Sequence, residues 1–294
     1  MFYRRKIILG LLQAWGGTLD KISLQKLLFL FSREQTQPVY EFVPYRFGCY
    51  SFSVNADLNA MQRQSLIEES NTSISKLDKR NYVAMLTPAD KQILLQLRSR
   101  FGTFTVKALM KYVYRSYGYY ATRSEKAKEL LSRDEYRAVR DALPWCNKHV
   151  LFTIGYEGIS LEAYLNKLLR NDIRVLCDVR KNPISMKFGF SKESLERYCR
   201  TLDIHYVHLP LLGIASDLRK HLSTQSDYDK LFEIYRTTTL RSTSDEQQKV
   251  INLLHQHKRV ALTCFEAELC RCHRKPLADA IFTNAGSGFE LLHI

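Results

Sequence analysis
Hydrophobic positions keep two different periods along this chain, and the change falls near residue 150. In the first half, apolar residues recur three and four apart, as on one face of a helix. Ile7-Ile8, Leu11-Leu12 and Trp15 trace such a face, and Gly16-Gly17 ends it. The run Ser23–Phe31 starts a second helix with Ser23 as its N-cap. Phe42–Ser51 is aromatic and reads as extended, and Asn55–Ile67 reads as a third helix. Tyr82–Leu86 reads as a short strand, or wing, before a helix from Pro88. Three helices and a wing make a winged-helix pattern.

In the second half, short unbroken apolar runs alternate with amphipathic stretches. Strands are expected at Val150–Ile154, Arg174–Val179, His205–Leu209 and Val260–Cys264. Helices are expected at Ser160–Leu169, at Ser191–Leu202 and from about His273, while Thr237–Gln248 is polar and reads as a surface loop or helix start. Strands alternating with helices predict an α/β domain with a mostly parallel, doubly wound sheet. Pro144 stops the preceding helical stretch, so the expected domains are 1–146, mainly helical and winged-helix-like, and 147–294, α/β.

Charge adds a partner to this picture. The 294 residues carry a net charge of +14. Residues 1–150 hold 24 Lys+Arg and 13 Asp+Glu, against 20 and 17 in residues 151–294. The first half therefore carries most of the attraction for a polyanion, and DNA is the expected partner. Lys107, Lys111, Arg115 and Arg123 interleave with Tyr112, Tyr114, Tyr117, Tyr119 and Tyr120, and Arg46 lies in the aromatic stretch. Basic groups would neutralise phosphates, and tyrosines would stack on bases unless they pack under a solvated helix face. No apolar run approaches the roughly 20 residues of a membrane span. Seven cysteines, with no clean leader sequence, read as a reduced, cytoplasmic set. No obligatory protein partner is implied.

The two halves also carry motifs. Leu24–Leu30, Phe42-Val-Pro-Tyr-Arg-Phe-Gly48 and Ser51-Phe52, with Tyr117–Ser124 later, make the first half similar to winged-helix-like domains of antitoxin-associated bacterial proteins. Gly48-Cys49 stands where that pattern has Gly-Pro. The second half shows Thr153-Ile-Gly-Tyr-Glu-Gly158, Asp178-Val-Arg180 with Asn182-Pro183, and Gly189-Phe-Ser-Lys192. It goes on with Tyr206, His208, Leu212-Gly213, Thr263-Cys-Phe-Glu266 and Cys272-His-Arg274. This ordered set resembles domain-of-unknown-function family 488. The resemblance implies a fold and a site rather than a reaction. Met186-Lys187 follows Ser185 where the family often has Arg, so Lys187 would supply that basic contact.

Parallel sheets bind ligands at the carboxyl ends of their strands, and each motif sits at such an end. Asp178, Glu266 and His208 are the candidate catalytic residues, because two carboxylates can stabilise a sugar cation and activate water while a histidine moves a proton. Tyr156, Glu157, Arg180, Asn182, Ser185, Lys187, Tyr206, His273 and Arg274 are the candidate substrate contacts. Tyr156 would stack on a base, and Arg180 and Arg274 would hold phosphates. Cys264, Cys270, Cys272 and His273 suggest zinc, but no Cys-x-x-Cys pair is present and adjacent Cys272-His273 ligands are awkward for one ion. No metal or other cofactor is therefore expected. The expected function is a DNA glycosylase-like hydrolase that flips and excises a base, a modified one in particular, as in bacterial defence against phage DNA. The alternatives are a metal-dependent nuclease and a non-catalytic DNA-binding regulator with a nucleotide-sensing α/β domain.

Overall fold
The computed structural model describes residues 1–219, 222–286 and 288–294. The chain forms two compact units, Met1–Leu143 and Pro144–Ile294.

The first unit runs α1 (Tyr3–Ala14), β1 (Thr18–Asp20), α2 (Lys21–Glu34), β2 (Val43–Tyr45), β3 (Gly48–Tyr50), α3 (Phe52–Arg63), β4 (Ile67–Glu69) and β5 (Ser73–Lys76). It continues with α4 (Pro88–Phe101), α5 (Val106–Ser116), α6 (Gly118–Ala121), α7 (Ala127–Leu130) and α8 (Arg133–Asp141). The apolar faces of α1 and α2 bury Ile7, Ile8, Leu11, Leu12, Leu24, Leu27, Leu28 and Phe31 in one core. An antiparallel sheet of order β1-β5-β4 and a β2-β3 hairpin complete it.

Several boundaries differ from expectation. Ser23 is buried inside α2, which begins at Lys21 with Asp20 before it. Ile67 belongs to β4 rather than to the third helix. Tyr82–Leu86 is a turn, not a wing strand. Its Tyr82 and Val83 amides go to the Gln13 side chain, and Met85 and Leu86 bond back to Tyr82 and Val83, so no ladder forms.

The second unit runs β6 (Val150–Gly155), α9 (Leu161–Arg170), β7 (Val175–Asp178), α10 (Lys192–Thr201), β8 (His205–His208), α11 (Gln225–Thr237), α12 (Thr239–Ser242), α13 (Ser244–His257), β9 (Arg259–Cys264), α14 (Arg274–Ala285) and β10 (Glu290–His293). Its sheet has the order β10-β6-β9-β7-β8, and every neighbouring pair is parallel. The inner strands β6, β7 and β9 are buried almost end to end, which is why they read as continuous apolar runs. Side chains alternate across the sheet. Thr263 takes a hydrogen bond from Tyr164 of α9, while Val260 and Leu262 join Val250 and Leu254 of α13 and Leu277 of α14 in the other core. The polar run 237–248 is helical almost throughout. No helix among the described residues is long and apolar enough to cross a membrane.

Candidate functional site
Parallel pairing brings the carboxyl ends of β6, β7, β8 and β9 to one edge. A cavity of about 310 Å³ opens there. Its wall includes Tyr156, Arg180, Asn182, Ser185, Arg219, Cys264 and Phe265.

Asp178 ends β7 and is fully buried. Its Oδ1 accepts from the Arg180 amide at 3.1 Å and from Arg180 Nε at 2.8 Å. Its Oδ2 accepts from Arg180 Nη2 at 2.5 Å and from the Tyr206 hydroxyl at 2.6 Å. Arg180 Nη1 donates to the Tyr156 hydroxyl at 2.7 Å and to the Phe190 carbonyl at 2.8 Å. The guanidinium lies over the Tyr156 ring, which stacks on Phe190 with centroids 4.2 Å apart. Burial and the Asp178 charge together push the Tyr206 hydroxyl well above its ordinary value. Burial works against the Arg180 charge, but Asp178 outweighs it and holds the guanidinium protonated. These groups therefore bind one another, and Asp178 positions Arg180 and Tyr206 rather than facing the cavity.

The remaining expected residues sort by what they touch. His208 Nε2 lies 3.0 Å from the Arg180 carbonyl oxygen. Glu157 accepts from the Ala267 amide at 3.0 Å and so fixes the loop after β9. Lys187 Nζ donates to the Tyr156 carbonyl at 2.7 Å, and burial lowers its affinity for a proton. Asn182 is exposed, and Ser185 is half-buried and accepts from the Lys187 amide. Arg274 is buried and donates to the Glu266 carbonyl at 2.8 Å, while its Nε and Nη1 have no partner among the described residues. Gly155 leaves room beside it: a Cβ there would stand 2.7 Å from Nη1.

Glu266 and His273 meet Arg219, which sequence reasoning missed because a lone arginine in a polar run carries no motif. Arg219 Nη1 donates to Glu266 Oε1, and Nη2 lies 2.8 Å from His273 Nδ1. His273 Nε2 lies 3.1 Å from the Val179 carbonyl oxygen, which makes Nε2 the protonated nitrogen and leaves the Nδ1 lone pair facing the cluster. Cys264 Sγ is 3.0 Å from Glu266 Oε2 and 3.7 Å from His273 Nδ1. Cys264, Glu266, Cys272 and His273 each present a ligand atom, all within 4.8 Å of one another. Burial pushes the Cys264 thiol up, but donation from Cys272 and the nearby His273 and Arg219 outweigh it and bring it well below the ordinary thiol range. Burial and the neighbouring Cys264 raise Glu266, and they push the Cys272 thiol well above its ordinary value.

The objection to adjacent Cys272-His273 ligands is corrected by the backbone. Cys272 is extended (φ −124°, ψ 132°) and His273 is helical (φ −63°, ψ −12°), so the chain turns between them and both side chains face one point. Cys270 is exposed and stands outside the group.

Residues 160–281 match the family described as Domain of unknown function DUF488. The match runs from the cap of α9 into α14, so the DUF488 segment supplies every residue of the edge cluster except Tyr156 and Glu157, which follow β6. No curated protein and no solved structure matches the chain.

In the first unit, Lys107, Lys111 and Arg115 lie four residues apart along α5. Lys107 is exposed, and Arg115 is exposed and pairs with Glu135. Arg46 is exposed and sits 3.8 Å from Glu125, and Arg123 is half-buried. The tyrosines are packed rather than presented. Tyr114 is buried and bonds to Ser124, Tyr117 and Tyr120 pack edge-on against Phe29, and Tyr112 accepts from Arg100.

Proposed function
We propose that this chain is a hydrolase acting on DNA, of the base-excising N-glycosylase class, with its substrate base taken into the cavity at the carboxyl edge of the second unit. The observation that carries the reading is the cavity itself. At about 310 Å³ it lies at the small end of ligand sites, which span about 300–1,000 Å³, and it suits one base rather than a dinucleotide. Phe265 is exposed on its wall for stacking, and Asn182 and Ser185 offer hydrogen bonds to a base edge. The Asp178–Arg180–Tyr206 network stiffens the wall behind them.

The first unit is read as the DNA grip and as winged-helix-like. Its order helix, strand, helix, hairpin, helix, two strands, with β5 between β1 and β4, supports this. Phosphate contact through the exposed basic side of α5 fits its packed tyrosines better than base stacking does. A nuclease built on Mg²⁺ finds less support, because Asp178 is closed off by Arg180 and Tyr206 and does not join Glu266 at a shared cation position.

The test is mass spectrometry of small molecules released when the full chain meets unmodified and base-modified phage DNA. A free base with abasic sites left behind is expected. Phe265→Ala should slow release by on the order of tenfold or more, since a base–aromatic stack contributes about 1–3 kcal/mol. Strand breaks without free base would turn the reading to a nuclease, and binding without any product would turn it to a regulator.

A further inference from the structure
Cys264 ends β9 while Cys272 and His273 directly precede α14, yet their ligand atoms lie within 4.8 Å of one another beside the cavity that Cys264 lines. We infer that Cys264 Sγ, Cys272 Sγ and His273 Nδ1 bind one zinc-class divalent cation, with Glu266 beside them at the fourth position. The inference stands apart from the hydrolase reading, since it concerns binding and not turnover.

Three observations carry it. The first is geometry. Zn–S near 2.3 Å and Zn–N near 2.0–2.1 Å in a tetrahedron require an S···N edge of about 3.6 Å. Cys264 Sγ and His273 Nδ1 are 3.7 Å apart, and no ligand pair in the group exceeds 4.8 Å. The second is orientation. Zinc-bound histidines commonly donate their other ring N–H to a carbonyl or carboxylate, which fixes the ring. Here the Val179 carbonyl holds Nε2–H and aims the Nδ1 lone pair inward. The third is that a cation already stands at the group. Arg219 donates to Glu266 and to His273 Nδ1, so its guanidinium occupies the acceptors that a metal ion would take.

Two thiolates and an imidazole select a soft or borderline ion such as Zn²⁺ over Mg²⁺. His273 Nδ1 has one lone pair, so metal and Arg219 compete for it. Arg219 also lines the cavity, and metal binding would release its guanidinium toward that space.

The full chain, reduced and stripped with EDTA, would be titrated with Zn²⁺ and with Co²⁺, reading bound metal by mass spectrometry and thiolate-to-Co²⁺ charge transfer by absorption. One ion per chain is expected. Cys264→Ser, Cys272→Ser and His273→Ala should each weaken uptake by more than about 100-fold, beyond the about 10–100-fold that removing only a supporting residue costs. Cys270→Ser should leave uptake unchanged. Arg219→Gln should bind Zn²⁺ more tightly than the native chain, and the gain should vanish when Cys264→Ser is added to it, which separates it from uptake by a misfolded chain. No stoichiometric uptake by the folded native chain would overturn the site. So would uptake that survives loss of Cys264 and Cys272, or uptake that falls in Arg219→Gln.

Discussion
Asp178 and Arg180 form a pair with no solvent to replace either partner: Asp178 is fully buried and Arg180 is 6% exposed. Removing one charge from such a pair leaves the other desolvated and unmatched, at about 3–5 kcal/mol. Asp178→Asn should therefore lower the stability of the second unit to urea by an amount in that range, and a change under about 1 kcal/mol would show that Arg180 finds another partner. Any loss of activity in this variant must be corrected for that destabilisation. The i, i+2 spacing placed Asp178 and Arg180 on one face from the sequence alone. Their closure could not be read there, because Tyr156, Phe190 and Tyr206, which complete the network, come from other segments of the chain. Gly155 is a second fixed point. A Cβ would fall 2.0 Å from the Glu266 carbonyl oxygen and 2.7 Å from Arg274 Nη1. Backbone cannot yield there as a flexible side chain would, so Gly155→Ala should destabilise the second unit by at least the about 1–3 kcal/mol typical of overpacking. Thermal unfolding would check it.

At the scale of elements, helix α5 gives the clearest test of the first unit. Thr105 caps it by accepting from the Ala108 amide, and Leu109, Met110, Val113 and Tyr114 anchor its buried side. Lys107, Lys111 and Arg115 run along another side of the helix. If this side meets phosphates, replacing all three with Gln should weaken binding alike for all DNA sequences. It should also flatten the dependence of log K on log salt by about 0.9 for each phosphate no longer neutralised. Arg115 shares its charge with Glu135, so its own part should be the smallest. Binding whose salt slope is untouched would move the DNA grip elsewhere. The buried strands were readable because a strand covered on both faces must be apolar throughout. Edge strand β10 was not, since Glu290–His293 is short, half-polar and at the chain end. The polar sequence of α12 and the start of α13 left a surface loop and a helix start as equal readings. Gln247 inside α13 is nonetheless buried and bonded to the Leu240 carbonyl at 2.6 Å, a pairing that periodicity cannot show.

At the scale of the whole chain, two units with separate cores each carry their own response to conditions, and Asp57 makes the first sensitive to acid. Asp57 on α3 ties that unit together: its carboxylate accepts from Arg4 at 2.5 Å, from Arg5 at 2.7 Å and from the Tyr40 hydroxyl at 2.8 Å. Burial alone would push this carboxyl up, but the hydrogen bonds from Arg4, Arg5 and Tyr40 outweigh it and hold it below the ordinary carboxylate value. A carboxyl that titrates lower when folded than when unfolded adds stability that is present in full above the unfolded value, about 3.9. That stability is lost as pH falls through the folded value. Asp57→Asn removes the charge at every pH. It should therefore lower the stability of the first unit at pH 7 by about 1.5–3 kcal/mol, the range for hydrogen bonds to charged groups. The difference from the native chain should shrink from about pH 5 downward as the native Asp57 takes up its proton. Urea unfolding of both chains at neutral and acid pH measures it. A difference that stays constant down to acid pH would mean that Asp57 acts through shape rather than charge.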